Sequence, residues 1–179
     1  VSRLAPNKRV DQAIRAVRRL AERKVEAHLS IVGAGEWESG LRQLVQDIGL
    51  SDRITFAGPL PEAEKDSQLR QAHLLLHTSQ REGWGLNVIE ANAMGTPAVV
   101  YPVKGLVEST LHGRTGQVAD AETPEALAES IIETLQSPER YEEYRRNAWE
   151  RAKTFHWSVV LPKACDWLEA QARTRPDFS

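Results

Sequence analysis

The stretch HLLLHTSQREGWGLNVIEANAMGTPAVVYPV, from His73 to Val103, decides the fold. It opens on an apolar run, Leu74 to Leu76, inside the segment HLLLHTS, too short for a helix and of the length of a buried strand. From Leu86 to Met94 the residues favour a short helix, stopped by Gly95 and Pro97. PAVVYPV then returns to an apolar run of strand length. Strand, helix and strand in this order predict a crossover unit with parallel strands.

The same alternation extends outward. Val1 to Leu4 reads as the end of a strand and Ala5 to Arg9 as a loop. Val10, Ala13, Ile14, Val17 and Ala21 recur at helical spacing and form one buried stripe. AHLSIVG is a strand closed by Gly33-Ala-Gly35, Glu36 to Ile48 is a helix stopped at Gly49, and RITFAG is a strand. PEAEKDSQLRQA is a helix opened by proline. GQVAD is a sixth candidate strand. From position 123 to 173 the chain is helical. Thr123 and Ser137 each stand before a proline as N-caps, and a last helix runs from Trp157 to Ala172. The tail from Thr174 to Ser179 reads as frayed. The expected fold is α/β: a Rossmann-like, doubly wound parallel sheet of about six strands with helices on both faces.

Composition bounds the function. A chain of 179 residues, 41% hydrophobic and 27% charged, fits one soluble domain with its own core. A net charge of −2 gives no global field to draw nucleic acid. The basic stretch Arg15 to Lys24 follows helical spacing among Ala16, Val17, Leu20 and Ala21, so a solvated helix face is favoured over an anionic membrane surface. The single cysteine, Cys165, permits no internal disulfide, fits a reducing compartment and reads as packing beside Trp157, Leu161 and Leu168. No apolar run approaches a membrane span, and no signal peptide is visible. The opening VSRLAPNKRV has no initiator methionine and enters a strand midway, which suggests a piece of a longer protein.

Ligands of open parallel sheets bind at the carboxyl ends of the strands. The loops there begin near Arg3, Gly33, Gly58, Ser79 and Tyr101. IVGAGE has two glycines of a dinucleotide fingerprint but Glu38 where the third belongs, which argues against a nicotinamide cofactor. His73 and His77 have metal-ligand spacing for a helix, yet they lie on strand-like sequence with no third ligand nearby. Arg3 and Lys8 flank the first strand-to-helix loop and could reach a phosphate there.

The loop from Glu82 is the most informative. Gly83 and Gly85 permit a tight turn. A helix starting near Gly85, Leu86 and Asn87 presents free N–H groups and a positive dipole end to an anion such as a diphosphate. Glu90 lies a turn further on, among Val88, Ile89, Ala91, Ala93 and Met94, where a buried carboxylate needs partners. Sugar hydroxyls would serve; so would a neighbouring loop or a Lys or Arg.

EGWGLNVIEANAMGTPAVV resembles the signature of retaining glycosyltransferases of family 4, with two glutamates separated by seven residues. SRLAPNK, LSIVGAGE, DRITFAGPL, GLVESTLHGRTGQV and RAKTFHW resemble other motifs of that family in the right order, over nearly the whole chain. The resemblance implies the GT-B fold, two Rossmann-like domains with the active site between them. Residues 1–179 would be the carboxyl-terminal, nucleotide-sugar-binding domain with a helical extension over 123–173, the amino-terminal acceptor domain being absent.

The resemblance also implies roles. Arg3 and Lys8 match residues that bind the donor diphosphate, and the N–H groups of Gly85, Leu86 and Asn87 match those that hold its distal phosphate. Glu82 would lie against the donor sugar and Glu90 would grip the ribose. Arg3, Lys8 and Glu82 are thus the candidate catalytic residues. Gly35, Leu60 near the base, Ser79 and Gly83 complete the donor site. Thr78 stands where the family usually has proline, and Lys104 where many members have a small residue or proline.

The implied activity is a hexosyltransferase that moves a sugar from a UDP-, GDP- or ADP-sugar to an acceptor with retention, using no cofactor and no metal. The acceptor would be a glycan, a lipid-linked or a small molecule, held mainly by the other domain; the domain alone would not transfer sugar. The expected place is the cytoplasm, with peripheral association at the cytoplasmic membrane face left open. A degenerate interaction domain, or an epimerase or phosphorylase of the same fold, are the competing readings.

Overall fold

The computed structural model describes residues 1–174. A 3₁₀ turn, Pro6–Lys8, leads into α1, Val10–Glu22. There follow β1 (Leu29–Val32), α2 (Glu38–Asp47), β2 (Ile54–Gly58), α3 (Glu62–Gln71), β3 (Leu75–His77), α4 (Leu86–Ala93), β4 (Ala98–Val100), α5 (Lys104–Ser109), β5 (Gly116–Val118), α6 (Pro124–Gln136), α7 (Pro138–Lys153) and α8 (Trp157–Thr174). Residues 175–179, most of the tail read as frayed, lie outside the described residues.

The strands pair in parallel, as the alternation predicts, with Leu75 beside Ala98 and Ala98 beside Gly116. They form two sheets, β1-β2 and β3-β4-β5, so five strands stand where about six were expected. Val1 to Leu4 is the difference. Its Ser2 N–H donates to Val32 O at 3.0 Å and its Leu4 N–H to Ala34 O at 2.9 Å, so it engages mainly the loop after β1. Gly33 permits that approach, since a Cβ there would come 1.9 Å from Ser2 O. The facing edges of β1 and β3 stay apart around a cavity of about 490 Å³ that has Val1 and Ser2 on its wall.

Strand alternation sorts β4 onto both helical layers. Val99 packs with Ala16 and Leu20 of α1 and with Leu127, Ala128 and Ile131 of α6. Ala98 and Val100 face the other way, onto Val88 and Ala91 of α4 and Leu106 of α5. A third cluster joins Ile14 and Val17 of α1 to Ile31, Ile54 and Leu41. Helix α6 therefore covers the sheet rather than extending from it.

Both N-caps hold. The Thr123 hydroxyl accepts from the Ala126 N–H and the Ser137 hydroxyl from the Arg140 N–H. The basic face of α1 is a solvated one, with Arg19 paired to Glu22 and Glu125 and Arg23 to Glu129 of α6. One expectation fails in α8. Cys165 is exposed, not packed, because no described element lies over the face it shares with Trp157, Leu161 and Leu168, which are 74%, 53% and 59% exposed. Among the described residues no helix is long and apolar enough to cross a membrane.

Candidate functional site

The loops after β3 and before α1 are bound together at the carboxyl end of the sheet. The Thr78 hydroxyl, at the end of β3, lies 3.1 Å from Lys8 O and 2.9 Å from Arg9 O, and the Gln80 N–H donates to Asn7 O at 2.9 Å. Proline at position 78 could not make the first of these contacts. The result is that Lys8, 74 residues away in the chain, places its ammonium 2.8 Å from Glu82 Oε2.

Glu82 has three polar neighbours. Beyond Lys8, the His77 ring sets its Nε2 3.3 Å away, and the Gly83 backbone also favours the charged carboxylate. Burial opposes ionisation of Glu82, but Lys8 above all, with His77 and Gly83, outweighs it and holds the carboxyl below its ordinary range. The loop is fixed from below by α5. A Cβ on Gly105 would meet Glu82 O at 2.3 Å, so only glycine lets that backbone approach. From the side, the Trp84 ring packs edge-on against Phe155, centroids 4.7 Å apart, just beyond α7.

Gly85 carries the turn. Its φ is +75°, and it caps α4 over Leu106 and Ser109. Gly83 needs no such conformation and is exposed, so the turn depends on one of the two glycines. The first helical backbone bond here runs from the Val88 N–H to Gly85 O, which leaves the Leu86 and Asn87 N–H groups at an open helix end. Leu86 is 67% exposed there, while the Asn87 amide donates to Val1 O at 3.0 Å.

Glu90 differs from the expectation of a buried charge. Its side chain is 44% exposed, and Lys65 of α3 pairs with it at 3.0 Å. A helix of eight residues turns its fifth toward the rim, and Lys65 supplies the cation that the sequence left open. Of the other expected site residues, Ser79 is fully buried with its hydroxyl unpartnered. Gly35 packs where a Cβ would come 2.2 Å from Leu4 O, and Leu60 is half-buried between β2 and α3. Arg3 is exposed beside buried Leu4 and is not drawn into the Lys8–Glu82 cluster. Among the described residues no three His, Cys, Asp or Glu form a metal-binding group.

Sequence reasoning missed His77, Lys65 and Gly105. Spacing cannot announce Lys65, which is 25 residues from Glu90. A histidine ending a buried strand beside the glycine loop was a readable signal for His77.

Residues 1–151 match the family described as glycosyl transferases group 1. The chain belongs to this family. Group 1 relatives include a D-inositol 3-phosphate glycosyltransferase of Corynebacterium glutamicum (strain R), 30% identical over 89% of this chain and 40% of that protein. Another is a GDP-mannose-dependent alpha-(1-6)-phosphatidylinositol monomannoside mannosyltransferase of Mycolicibacterium smegmatis, 31% identical over 78% of this chain and 38% of that one. The chain thus spans about two fifths of these relatives. Among solved structures, pneumococcal O-GlcNAc transferase GtfA in complex with UDP and GlcNAc superposes with a TM-score of 0.83 at 25% identity, over 94% of this chain and 34% of that one. Anabaena Alr3699/HepE in complex with UDP and glucose superposes at 0.82 and 22% identity, over 94% and 47%, which shows the shared fold. The α/β architecture is that of the corresponding part of GT-B glycosyltransferases.

Proposed function

We propose that this chain binds a nucleoside-diphosphate sugar and that the whole protein transfers the glycosyl group to an acceptor with retention of configuration. The observation that carries the reading is the pairing of Lys8 with Glu82 at 2.8 Å beside the open end of α4. An ammonium has three N–H donors, so Lys8 can keep Glu82 and still meet a phosphate oxygen. The diphosphate would lie between Lys8, Arg3 and the N–H groups of Leu86 and Asn87, whose partial charges favour it. Donors aimed at a departing diphosphate stabilise the charge that develops as the sugar leaves. Glu82 would accept from the sugar hydroxyls. Glu90 would accept from the ribose, exchanging Lys65 for two hydroxyl donors. Ser79, with a hydroxyl lacking a partner, lies behind the phosphate loop. Gly83, with open space about it, would let the donor approach the backbone, Gly35 and Gly85 would hold the flanking loops in shape, and Leu60 would border the base. Family relatives named for inositol phosphate and mannoside substrates support a hexosyltransferase of glycan or cell-envelope synthesis.

Calorimetry with UDP, GDP and ADP and with their sugars tests this. Binding of at least one is expected. Glu90→Ala should weaken the nucleoside diphosphate by roughly 10-fold or more, the worth of one or two charged hydrogen bonds. Glu82→Ala should instead remove the extra affinity that the sugar adds. A folded protein that binds none of these nucleotides or nucleotide sugars ends the proposal.

A further inference from the structure

The strongest unassigned polar group in the molecule is His77. It closes β3 in register with Val100, its own carbonyl accepts from the Tyr101 N–H at 3.0 Å, and the residue is 5% exposed. Strand pairing therefore fixes where the ring stands. The Ser79 N–H approaches Nδ1 at 3.5 Å, which makes that nitrogen the acceptor and leaves the proton on Nε2. Nε2 is the atom 3.3 Å from Glu82 Oε2, and the Asn87 side chain also hydrogen-bonds the ring.

We propose that His77 is a positioning residue: a neutral ring that sets its Nε2–H edge against Glu82 and, together with Lys8, confines the carboxylate before any sugar arrives. Both contacts fall on Oε2, so Oε1 is the oxygen left for a hydroxyl of the donor. The role of Glu82 toward that sugar rests on the function proposed above; its tethering by His77 does not.

The electrostatic surroundings agree with a neutral ring. Burial lowers the His77 pKa to about 4; Glu82 and Asn87 push it up, while Lys8 pushes it down. A protonated ring would add a second cation beside Lys8. A neutral one adds a fixed polar edge with no such repulsion, and orientation rather than charge is what a carboxylate already paired with lysine lacks.

NMR of the full-length protein without ligand reads the contact. The His77 ring is expected as the Nε2–H tautomer, uncharged at pH 6. His77→Leu should shift the Glu82 carboxyl titration upward, and His77→Gln, which keeps an N–H donor, should return it toward the wild-type position. An Nδ1–H ring, a ring that titrates near its ordinary value, or a Glu82 titration unmoved in His77→Leu would each overturn the proposal. Should His77→Leu fail to fold, the wild-type tautomer and His77→Gln still decide. Calorimetry with UDP and UDP-glucose on the same variants separates the two ideas: a donor site that fails leaves the tautomer and titration results standing.

Discussion

Glu82 and Glu90 stand eight residues apart, one before α4 and one inside it, and the fold treats them differently. Glu82 is 21% exposed and lies against Lys8, His77 and the Gly83 backbone, on a loop seated against α5. Glu90 is 44% exposed and has Lys65. The helix that carries Glu90 is regular, yet its carboxylate is the looser one. Backbone order is thus a poor guide to how firmly a side chain is held. The number of donors converging on it, and their burial, is the better guide.

The contrast can be broken most forcefully at Gly105. Gly105→Ala places a methyl group against the Glu82 carbonyl, where the contact is backbone and cannot swing aside. It should cost about 3 kcal/mol, the upper range for overpacking, and should abolish the sugar-dependent part of donor affinity while sparing much of the Glu90 end. Urea unfolding and calorimetry would measure the two losses. A neutral Gly105→Ala would mean that the loop is not held from below.

Lys8→Met comes next. It leaves Glu82 half-buried with its main cation gone and should destabilise by about 1–2 kcal/mol at pH 7. The pH dependence gives the sign. Glu82 has a folded pKa below its unfolded one, so its stabilisation is present above the unfolded value of about 4.3 and is lost as pH falls through the folded value. The gap between wild type and Lys8→Met should therefore close on the acid side of that window, as urea midpoints from pH 7 downward would show. A gap that persists unchanged in acid assigns the effect to packing of the lysine stem.

The smallest effect belongs to Lys65→Met. An ion pair this exposed on one side is worth within about 0.5 kcal/mol, and the difference should fade further in added salt. A loss as large as that of Lys8→Met would erase the distinction between the two carboxylates.

What was legible in the sequence follows from the range of the interactions. The α1 stripe, the prolines behind Thr123 and Ser137, and the strand–helix–strand unit around α4 are local signals, and the structure has them. Helix α5 has six residues, fewer than two full turns, so no period announces it. The Lys8–Glu82 and Lys65–Glu90 pairs need loops and helices to meet across the sheet end. Family resemblance supplied roles for Glu82 and Glu90 and marked Thr78 as a departure from proline, but it gave no role for the Thr78 hydroxyl, which ties the two loops. The apolar face of α8 was readable, but Cys165 on it was read as packing, since a face seeking contact looks the same whether or not it finds one.

The Trp84–Phe155 contact has a mechanical consequence. Phe155 occupies the short junction between α7 and α8, and α8 is the element least anchored to the body. The contact joins the Gly-Trp-Gly turn to that junction, so the turn before α4 has a brace drawn from about 70 residues further along the chain.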